Sequence, residues 1–130
     1  MAWRRHYDAA PPPVSPGAEH SQFADARYAA LPSEARPLTE SLRDVTARLL
    51  PYWCDAIVPD LRTGACVLVV SHGNTLRALI RHLDRMSEQE VAALNVATAV
   101  PLVYELDDDL RPVTRPEYAA PESPARPSGG

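Results

Sequence analysis

The sequence predicts an α/β fold, and three patterns in the middle of the chain support it. An aliphatic run over 66–70 shows no alternation of apolar and polar residues, as in a strand buried on both faces of a parallel sheet. A short polar turn over 71–74 follows, and apolar residues then recur at helical spacing. Strand, turn and helix in this order make half of a βαβ unit, so helices are expected to flank a sheet.

Three helices are expected around that strand. The first is predicted to be capped by Thr39 or Ser41 and to end near Pro59, with its apolar face formed by Leu42, Val45, Leu49, Trp53 and Ile57. The second follows the polar turn, with apolar Leu76, Leu79, Ile80 and Leu83. The third is short and begins at the capping box over 87–90.

A second strand is predicted over 100–106. Pro101 cannot donate a backbone hydrogen bond, so this strand is expected to lie at a sheet edge or to begin there. The three aspartates over 107–109 predict the turn that follows.

Proline placement divides the chain into three segments. Of the 14 prolines, 11 lie before residue 38 or after residue 111. We therefore expect a proline-rich irregular segment over 1–37, an ordered α/β segment over 38–111 and a disordered tail over 112–130. The first segment still carries Phe23, Tyr28 and Leu31, which can pack on a surface.

Composition excludes several partners. A net charge of −4 and a pI near 5.5 argue against nucleic acid, which is held by a surplus of basic residues. The longest apolar run, 65–70, is far shorter than the about 20 residues that span a membrane. The two cysteines, Cys54 and Cys66, lie in apolar stretches without CxxC spacing, which predicts buried, reduced thiols in a cytoplasmic protein.

The turn between the first strand and the second helix is the best candidate for a ligand site. Ligands of open α/β sheets bind beyond the carboxyl ends of strands, where helix N-termini favour anions. His72 lies there, Gly73 permits close approach of a ligand to the backbone, and Asn74 offers amide donors. The set suits a phosphate or a carboxylate. The alternative is a histidine that only closes a tight turn.

Other candidates are weaker on their own. Arg4 and Arg5 can bind a phosphate through their guanidinium groups, although on these two residues alone a solvated basic N-terminus is the favoured explanation. The remaining histidines have no metal-ligand spacing to one another or to the cysteines, so no metal site is expected.

Several motifs, in order and at matching spacing, resemble the cofactor-dependent (2,3-bisphosphoglycerate-dependent) phosphoglycerate mutases of the histidine phosphatase superfamily. They are Thr39-Glu40-Ser41-Leu42, Leu50-Pro51-Tyr52-Trp53, the run from Val69 to Ala78, Leu94-Asn95, and Val100 to Glu105. The resemblance reaches back to Trp3-Arg4-Arg5 and Pro11 to Pro13. It covers nearly everything before residue 112 but corresponds only to the C-terminal half of the family.

The resemblance implies specific roles. His72 would lie beside the transferring phosphoryl group and stabilise its charge, Gly73 and Asn74 would contact phosphoglycerate, and Arg4 and Arg5 would bind the anionic groups of the substrate. It further implies a small phosphorylated carboxylic acid as substrate, 2,3-bisphosphoglycerate as phosphoryl primer, no metal, a cytoplasmic location, and either a homo-oligomer or association with a missing N-terminal half.

Two departures from the family pattern matter. The nucleophilic histidine of an Arg-His-Gly motif and the catalytic glutamate are absent, so the chain alone is predicted to be inactive. The N-terminal strands of the family are absent as well. The predicted fold is therefore a partial phosphoglycerate-mutase-like sheet that is flanked by helices and has an unpaired edge. A misassigned start, a gene fragment and half of a split protein all remain open. Ala97 and Ala99 replace the usual Pro and Gly around Thr98, and Ala99 narrows the backbone angles available.

Two other functions remain open at this stage. One is a phosphomonoester phosphatase of the same superfamily, which would prefer a phosphomonoester unrelated to phosphoglycerate. The other is a non-catalytic anion-binding or interaction module.

Overall fold

A computed structural model describes residues 6–15, 17–18 and 25–118 of the chain. Within them lie four α-helices, α1 (Leu42–Tyr52), α2 (Val58–Arg62), α3 (Gly73–Asp84) and α4 (Glu88–Ala93), with a π-helical segment, Trp53–Ile57, between the first two. Two short strands follow, β1 (Glu105–Leu106) and β2 (Pro112–Thr114), and two 3-10 turns, Ala26–Tyr28 and Ser33–Ala35, precede the helices. The architecture is thus a mixture of helices and a small sheet.

Helix α1 begins with a reciprocal cap. The Ser41 hydroxyl accepts from the Asp44 N–H at 3.2 Å, and Asp44 Oδ2 accepts from the Ser41 N–H at 2.8 Å. Hydrogen bonds from Ser41 hold the pKa of Asp44 below its usual value. Of the two predicted caps, Ser41 is the one that caps α1. The Thr39 hydroxyl donates to the Pro11 carbonyl at 2.5 Å instead.

The helix that was predicted to end near Pro59 continues to Arg62. The π-helical turn widens the backbone directly before Pro59, so the proline ring enters the first turn of α2, where a missing N–H is tolerated. The helix closes at Gly64, which has a φ of 83° and whose N–H donates to the Leu61 carbonyl.

Helices α3 and α4 confirm the remaining helix predictions. Helix α3 packs mainly on α1, and its apolar face enters a core composed of Val45, Trp53, Ile57, Ala78, Leu79, Ile80, Leu83 and Val91. Helix α4 begins at the predicted capping box, with the Ser87 hydroxyl and the Glu90 carboxylate each accepting from the other's N–H. The same bonds lower the pKa of Glu90.

The predicted doubly buried strand over 66–70 is not formed. This segment joins no ladder in the described chain, and Leu68 and Val70 are 84% and 83% exposed. Val67 and Val69 pack against the core, so the side chains alternate between core and solvent. The aliphatic composition of this segment suits burial on both faces. A strand is buried on both faces only inside a sheet, and no described segment pairs with this one.

The second predicted strand forms only at its end. Glu105 pairs with Thr114 and Leu106 with Pro112, in an antiparallel two-stranded sheet. The Asp107 carboxylate closes the predicted turn by accepting from the backbone N–H groups of Asp109 and Arg111. Residues 100–104 remain extended and unpaired within the described chain, with Val103 71% exposed. We call residues 66–70 and 100–104 together the open edge.

Strand β2 lies inside the segment expected to be disordered, so that expectation does not hold for 112–114. Residues 119–130 lie outside the described residues. The division of the chain into three segments stays a prediction.

The N-terminal strap, residues 6–14, runs along the chain that leads into α1. Its Val14 N–H donates to the Leu38 carbonyl at 2.9 Å, and its Tyr7 carbonyl accepts from the Arg43 N–H at 3.1 Å. Beyond the strap, Tyr28 and Leu31 are exposed, whereas Phe23 lies outside the described residues. None of the helices in the described ranges is long and apolar enough to cross a membrane.

Candidate functional site

His72 forms the corner between the extended segment and α3. It is the N-cap residue, with extended backbone angles (φ −67°, ψ 151°), and its carbonyl accepts the helical hydrogen bond from the Leu76 N–H. The imidazole is exposed and makes no capping hydrogen bond to the helix. A side chain in this position is accessible to an incoming ligand.

The first turn of α3 offers an open, positively polarised surface. A Cβ placed on Gly73 would meet nothing within 4 Å, so space remains beside the backbone. Asn74 is exposed, and the first turn of this helix carries no acidic residue. The free N–H groups of a 12-residue helix therefore face the site without a carboxylate from their own turn.

Asn74 also lines a cavity of about 160 Å³ beneath the N-terminal strap. We call it the strap cavity. His6 and Tyr7 line it from the strap, Glu40 from the approach to α1, and Arg77 from α3. Residues from the strap, from the approach to α1, from α3 and from α4 thus meet in this cavity.

Ion pairs and hydrogen bonds order the walls of the strap cavity. Glu40 receives a bidentate contact from Arg48, with Nε–Oε1 at 2.6 Å and Nη2–Oε2 at 3.0 Å. Arg77 donates from Nη2 to the Val91 carbonyl and so ties α3 to α4. The charge of Glu40 is balanced on the protein side, which leaves the helix end as a place for an anion.

The predicted site residues are only partly brought together. His72, Gly73 and Asn74 are adjacent at the start of α3, as expected from their sequence positions. Arg4 and Arg5 lie outside the described residues, so their role stays a prediction. The two residues that directly follow them, His6 and Tyr7, line the same cavity as Asn74.

The cysteine prediction is wrong with respect to burial. Cys54 and Cys66 are both free thiols, and both are exposed. Cys66 shares the outward side of the extended segment with Leu68, and Cys54 lies on the π-helical segment. Across the described ranges, no cluster of three or more His, Cys, Asp or Glu side chains could hold a metal ion.

Sequence reasoning missed one polar cluster. The Asp84 side chain is fully buried at the end of α3, and its Oδ2 accepts from the Tyr118 hydroxyl, with the Tyr104 hydroxyl 3.4 Å away. Arg115 donates to the Asp84 carbonyl at 3.3 Å. Burial, together with the charge of Asp84, raises the pKa of Tyr104 to about 12, and burial also raises that of Tyr118. The cluster fastens residues 115–118 to α3, and none of the sequence patterns indicated it.

The sequence of the chain matches a known class of protein. The sequence model of the histidine phosphatase superfamily (branch 1) matches residues 14–116, so the chain belongs to that superfamily. The predicted resemblance is confirmed at this level.

Individual relatives give a finer comparison. The chain is 58% identical over 113 residues to the 2,3-bisphosphoglycerate-dependent phosphoglycerate mutase of Streptomyces avermitilis, which is 87% of this chain and 45% of that protein. It is 55% identical over 124 residues to the protein of the same name from Thermobifida fusca, covering 95% of this chain and 50% of that protein. For the Mycobacterium leprae protein the identity is 58% over 126 residues, covering 96% and 50%. The chain thus spans about half the length of the curated relatives that it matches.

Proposed function

We propose that this chain supplies part of a phosphoglycerate mutase, an enzyme that interconverts 3-phosphoglycerate and 2-phosphoglycerate. The observation that carries the proposal is identity of 55–58% to three mutases over 87–96% of the chain. The open anion-binding geometry at the start of α3 supports it independently, because the substrate carries a phosphate and a carboxylate.

Each candidate residue has a task in this reaction. Gly73 leaves space for a phosphate oxygen to approach the helix N–H groups, and Asn74 donates an amide hydrogen bond to the substrate. Arg4 and Arg5 bind the anionic groups of the substrate through paired N–H donors. The strap cavity places the residues after this arginine pair beside Asn74, which favours a shared site.

His72 stabilises the phosphoryl group during transfer. Its exposed imidazole is free of a capping bond and can donate an N–H to a phosphoryl oxygen as charge develops there. The cofactor 2,3-bisphosphoglycerate, when bound, supplies the phosphoryl group that starts the cycle. The donors that suit a phosphoglycerate, namely Asn74, the α3 N-terminus, Arg4 and Arg5, also suit this cofactor, and no metal is required for such binding.

The reaction needs residues from outside this chain. No Arg-His-Gly run occurs among the 130 residues, so the nucleophilic histidine has no counterpart here. The open edge favours association with a complementary polypeptide, because its backbone pairs with no other described segment and its Leu68 and Val70 are exposed. We propose that the part of the domain absent from this chain pairs there and completes the active site. A cytoplasmic location follows from this function.

A complementation experiment tests the proposal. The chain is mixed with the segment of the Streptomyces avermitilis mutase that it does not match, and interconversion of the phosphoglycerates is followed by phosphorus NMR. We expect turnover from the mixture and none from the chain alone. His72→Ala is expected to lower the turnover of the mixture about 100-fold or more. Arg27→Met serves as the control, because Arg27 is distant from His72 in the sequence and forms an exposed ion pair with Asp25.

Two results would contradict the proposal. Turnover by the chain alone that His72→Ala abolishes would show that no second polypeptide is needed. A mixture that folds but neither turns over nor binds 3-phosphoglycerate would refute the mutase function and leave a non-catalytic module.

A phosphatase of the same superfamily is the second candidate, favoured by the superfamily match itself. The two candidates differ in specificity, because a general phosphatase needs only the phosphate group. Preference of the mixture for p-nitrophenyl phosphate over phosphoglycerate, with release of inorganic phosphate, would select the phosphatase.

A further inference from the structure

Asp84 is a buried carboxylate in an unfavourable position. It is the last residue of α3, where the helix dipole favours cations over anions, and its side chain is fully buried. A buried carboxylate costs free energy unless hydrogen bonds and ion pairs compensate it. The candidate anion site does not explain it, since Gly73 lies about 16 Å away along the helix axis. The explanation lies in the groups that Asp84 contacts.

Three residues from later in the chain converge on Asp84. Tyr118 donates a hydrogen bond from its hydroxyl to Oδ2, and the Tyr104 hydroxyl lies 3.4 Å from the same atom and contacts the Tyr118 hydroxyl. Arg115 donates to the Asp84 carbonyl at 3.3 Å, and its Nε lies 3.9 Å from Oδ1. We call these four residues the Asp84 cluster.

The Asp84 cluster holds the β1–β2 hairpin at its base. Tyr104 directly precedes β1 and Arg115 directly follows β2, so both ends of the hairpin meet the end of α3. The ladder itself has two residue pairs with an irregular register between them. Because a two-stranded hairpin is marginal on its own, its attachment to the helices depends on this cluster and on the packing of Leu106 against the core.

The Asp84 cluster also determines which side chains of residues 100–104 face the core. Leu102 and Tyr104 are half-buried, whereas Val103 between them is 71% exposed. The Tyr104 ring packs against the core while its hydroxyl stays in the cluster. Since side chains alternate along an extended chain, a slip of one residue would carry Tyr104 out of the cluster and turn Val103 inward. The contacts at Asp84 therefore oppose that slip.

We propose that Asp84 is a positioning residue, which holds Tyr104 and Tyr118 at one buried point and so fixes the register in which residues 100–104 meet the complementary polypeptide. The identity of that polypeptide rests on the proposed function. The fixing of the register rests on the contacts of the Asp84 cluster alone.

Binding of the chain to the unmatched segment of the Streptomyces avermitilis mutase, immobilised for biolayer interferometry, tests the effect on pairing. Tyr118→Phe keeps the ring but removes the donor to Asp84, and Asp84→Asn removes the charge that the cluster surrounds. We expect each variant to bind about fivefold more weakly, because only molecules in the correct register pair. Tyr52→Phe removes a hydroxyl from an exposed ring on α1 and is expected to leave the affinity unchanged.

Two further variants separate positioning from a general loss of stability. Val45 is buried on α1, outside the group of side chains with which Tyr104 packs. Val45→Ala lowers stability by removing buried methyl groups, and it is expected to leave the affinity of the folded chain unchanged. The double variant of Asp84→Asn and Tyr118→Phe is expected to bind like either single variant, since both substitutions act through one contact.

Hydrogen exchange of the unbound chain gives a readout that needs no partner. Mass spectrometry of peptides over residues 105–114 reports opening of the hairpin. We expect exchange there to be several-fold faster in Tyr118→Phe and Asp84→Asn than in wild type or Tyr52→Phe, because the hairpin loses its attachment at the base. Peptides from α1 verify that the helices of each variant remain folded.

The outcomes separate the two proposals. If the wild type does not bind the segment, the proposed pairing fails, and exchange over 105–114 alone decides whether the Asp84 cluster holds the hairpin. If the wild type binds and Tyr118→Phe and Asp84→Asn bind equally well, the positioning role is overturned even where exchange accelerates. Equal weakening in Val45→Ala would overturn it too, because lost stability would then explain the result. Weaker binding confined to the two cluster variants, without additivity, supports it.

Discussion

Ala99 carries backbone strain that its side chain does nothing to relieve. Its φ of 61° lies in the left-handed region, where a Cβ costs roughly 1–2 kcal/mol. The sequence predicted that alanine narrows the backbone angles available at this position, and the observed φ lies in the region that glycine adopts more readily. The strained residue lies between α4 and the extended chain of the open edge, in the loop that follows Asn95.

Ala99→Gly is expected to stabilise the chain by up to about 1 kcal/mol, because relief of the strain exceeds the added entropy of an unfolded glycine. The free energy of unfolding from urea titration measures the gain. Ala97→Gly is the matched control: its φ is not positive, so glycine there should only destabilise. Equal effects of the two substitutions would contradict the argument.

Because of the Tyr104 hydroxyl, we expect the folded chain to lose stability at alkaline pH. Its pKa is about 12 in the folded chain against 10.0 ordinarily, so the unfolded chain loses this proton first as the pH rises. Stability should therefore be full below pH 10 and decline between pH 10 and 12. The urea midpoint measured across this range is expected to fall less steeply in Tyr104→Phe; an unchanged slope would show that Tyr104 does not contribute.

At the scale of elements, α1 and α3 form the main helix packing of the described fold. Ala78 lies on α3 and is fully buried in the core. Small side chains at such positions leave no room for larger ones, because protein interiors are close-packed.

Ala78→Leu is expected to destabilise the chain by about 1–3 kcal/mol through overpacking. Ala47→Leu makes the same change at an exposed position of α1 and is expected to alter stability by less than about 0.5 kcal/mol. Thermal unfolding followed by circular dichroism compares the two. Comparable losses at both positions would mean that helix propensity, and not packing, determines the result.

Elements whose signals are local could be predicted from the sequence. The caps at Ser41 and Ser87 and the apolar spacing of α3 depend on residues within a few positions of each other, and all three are present in the structure. The strand over 66–70 was not predictable in the same way. Its aliphatic composition indicates a preference for burial, but it does not reveal whether another segment pairs with it. The Asp84 cluster joins residues 20 and 34 positions away, beyond any local pattern. For the candidate site, the α3 corner was evident, whereas the strap cavity required the fold.

At the scale of the whole molecule, the open edge dominates the behaviour of the chain. Its backbone has no strand partner among residues 6–15, 17–18 and 25–118, and its Leu68, Val70 and Val103 are exposed, so it forms a surface suited to pairing with another strand. In the absence of a complementary polypeptide, a second copy of the chain is the nearest available partner.

The chain alone is therefore expected to self-associate with rising concentration, and Leu68→Lys is expected to reduce this by placing a charge on the edge. Sedimentation velocity measures the distribution of species. Tyr52→Lys replaces another exposed apolar residue, 62% accessible, on α1 and should leave association unchanged. A wild type that stays monomeric at high concentration would contradict the expectation.

The exposed thiols offer a native probe of this surface. Cys66 begins the extended segment, whereas Cys54 lies on the helical face of the molecule, and neither is engaged in a disulfide. The alkylation rate of Cys66 divided by that of Cys54 is an internal ratio, in which Cys54 corrects for reagent and protein concentration. A fall in that ratio would report, in unmodified protein and without any introduced label, the moment at which another polypeptide shields Cys66.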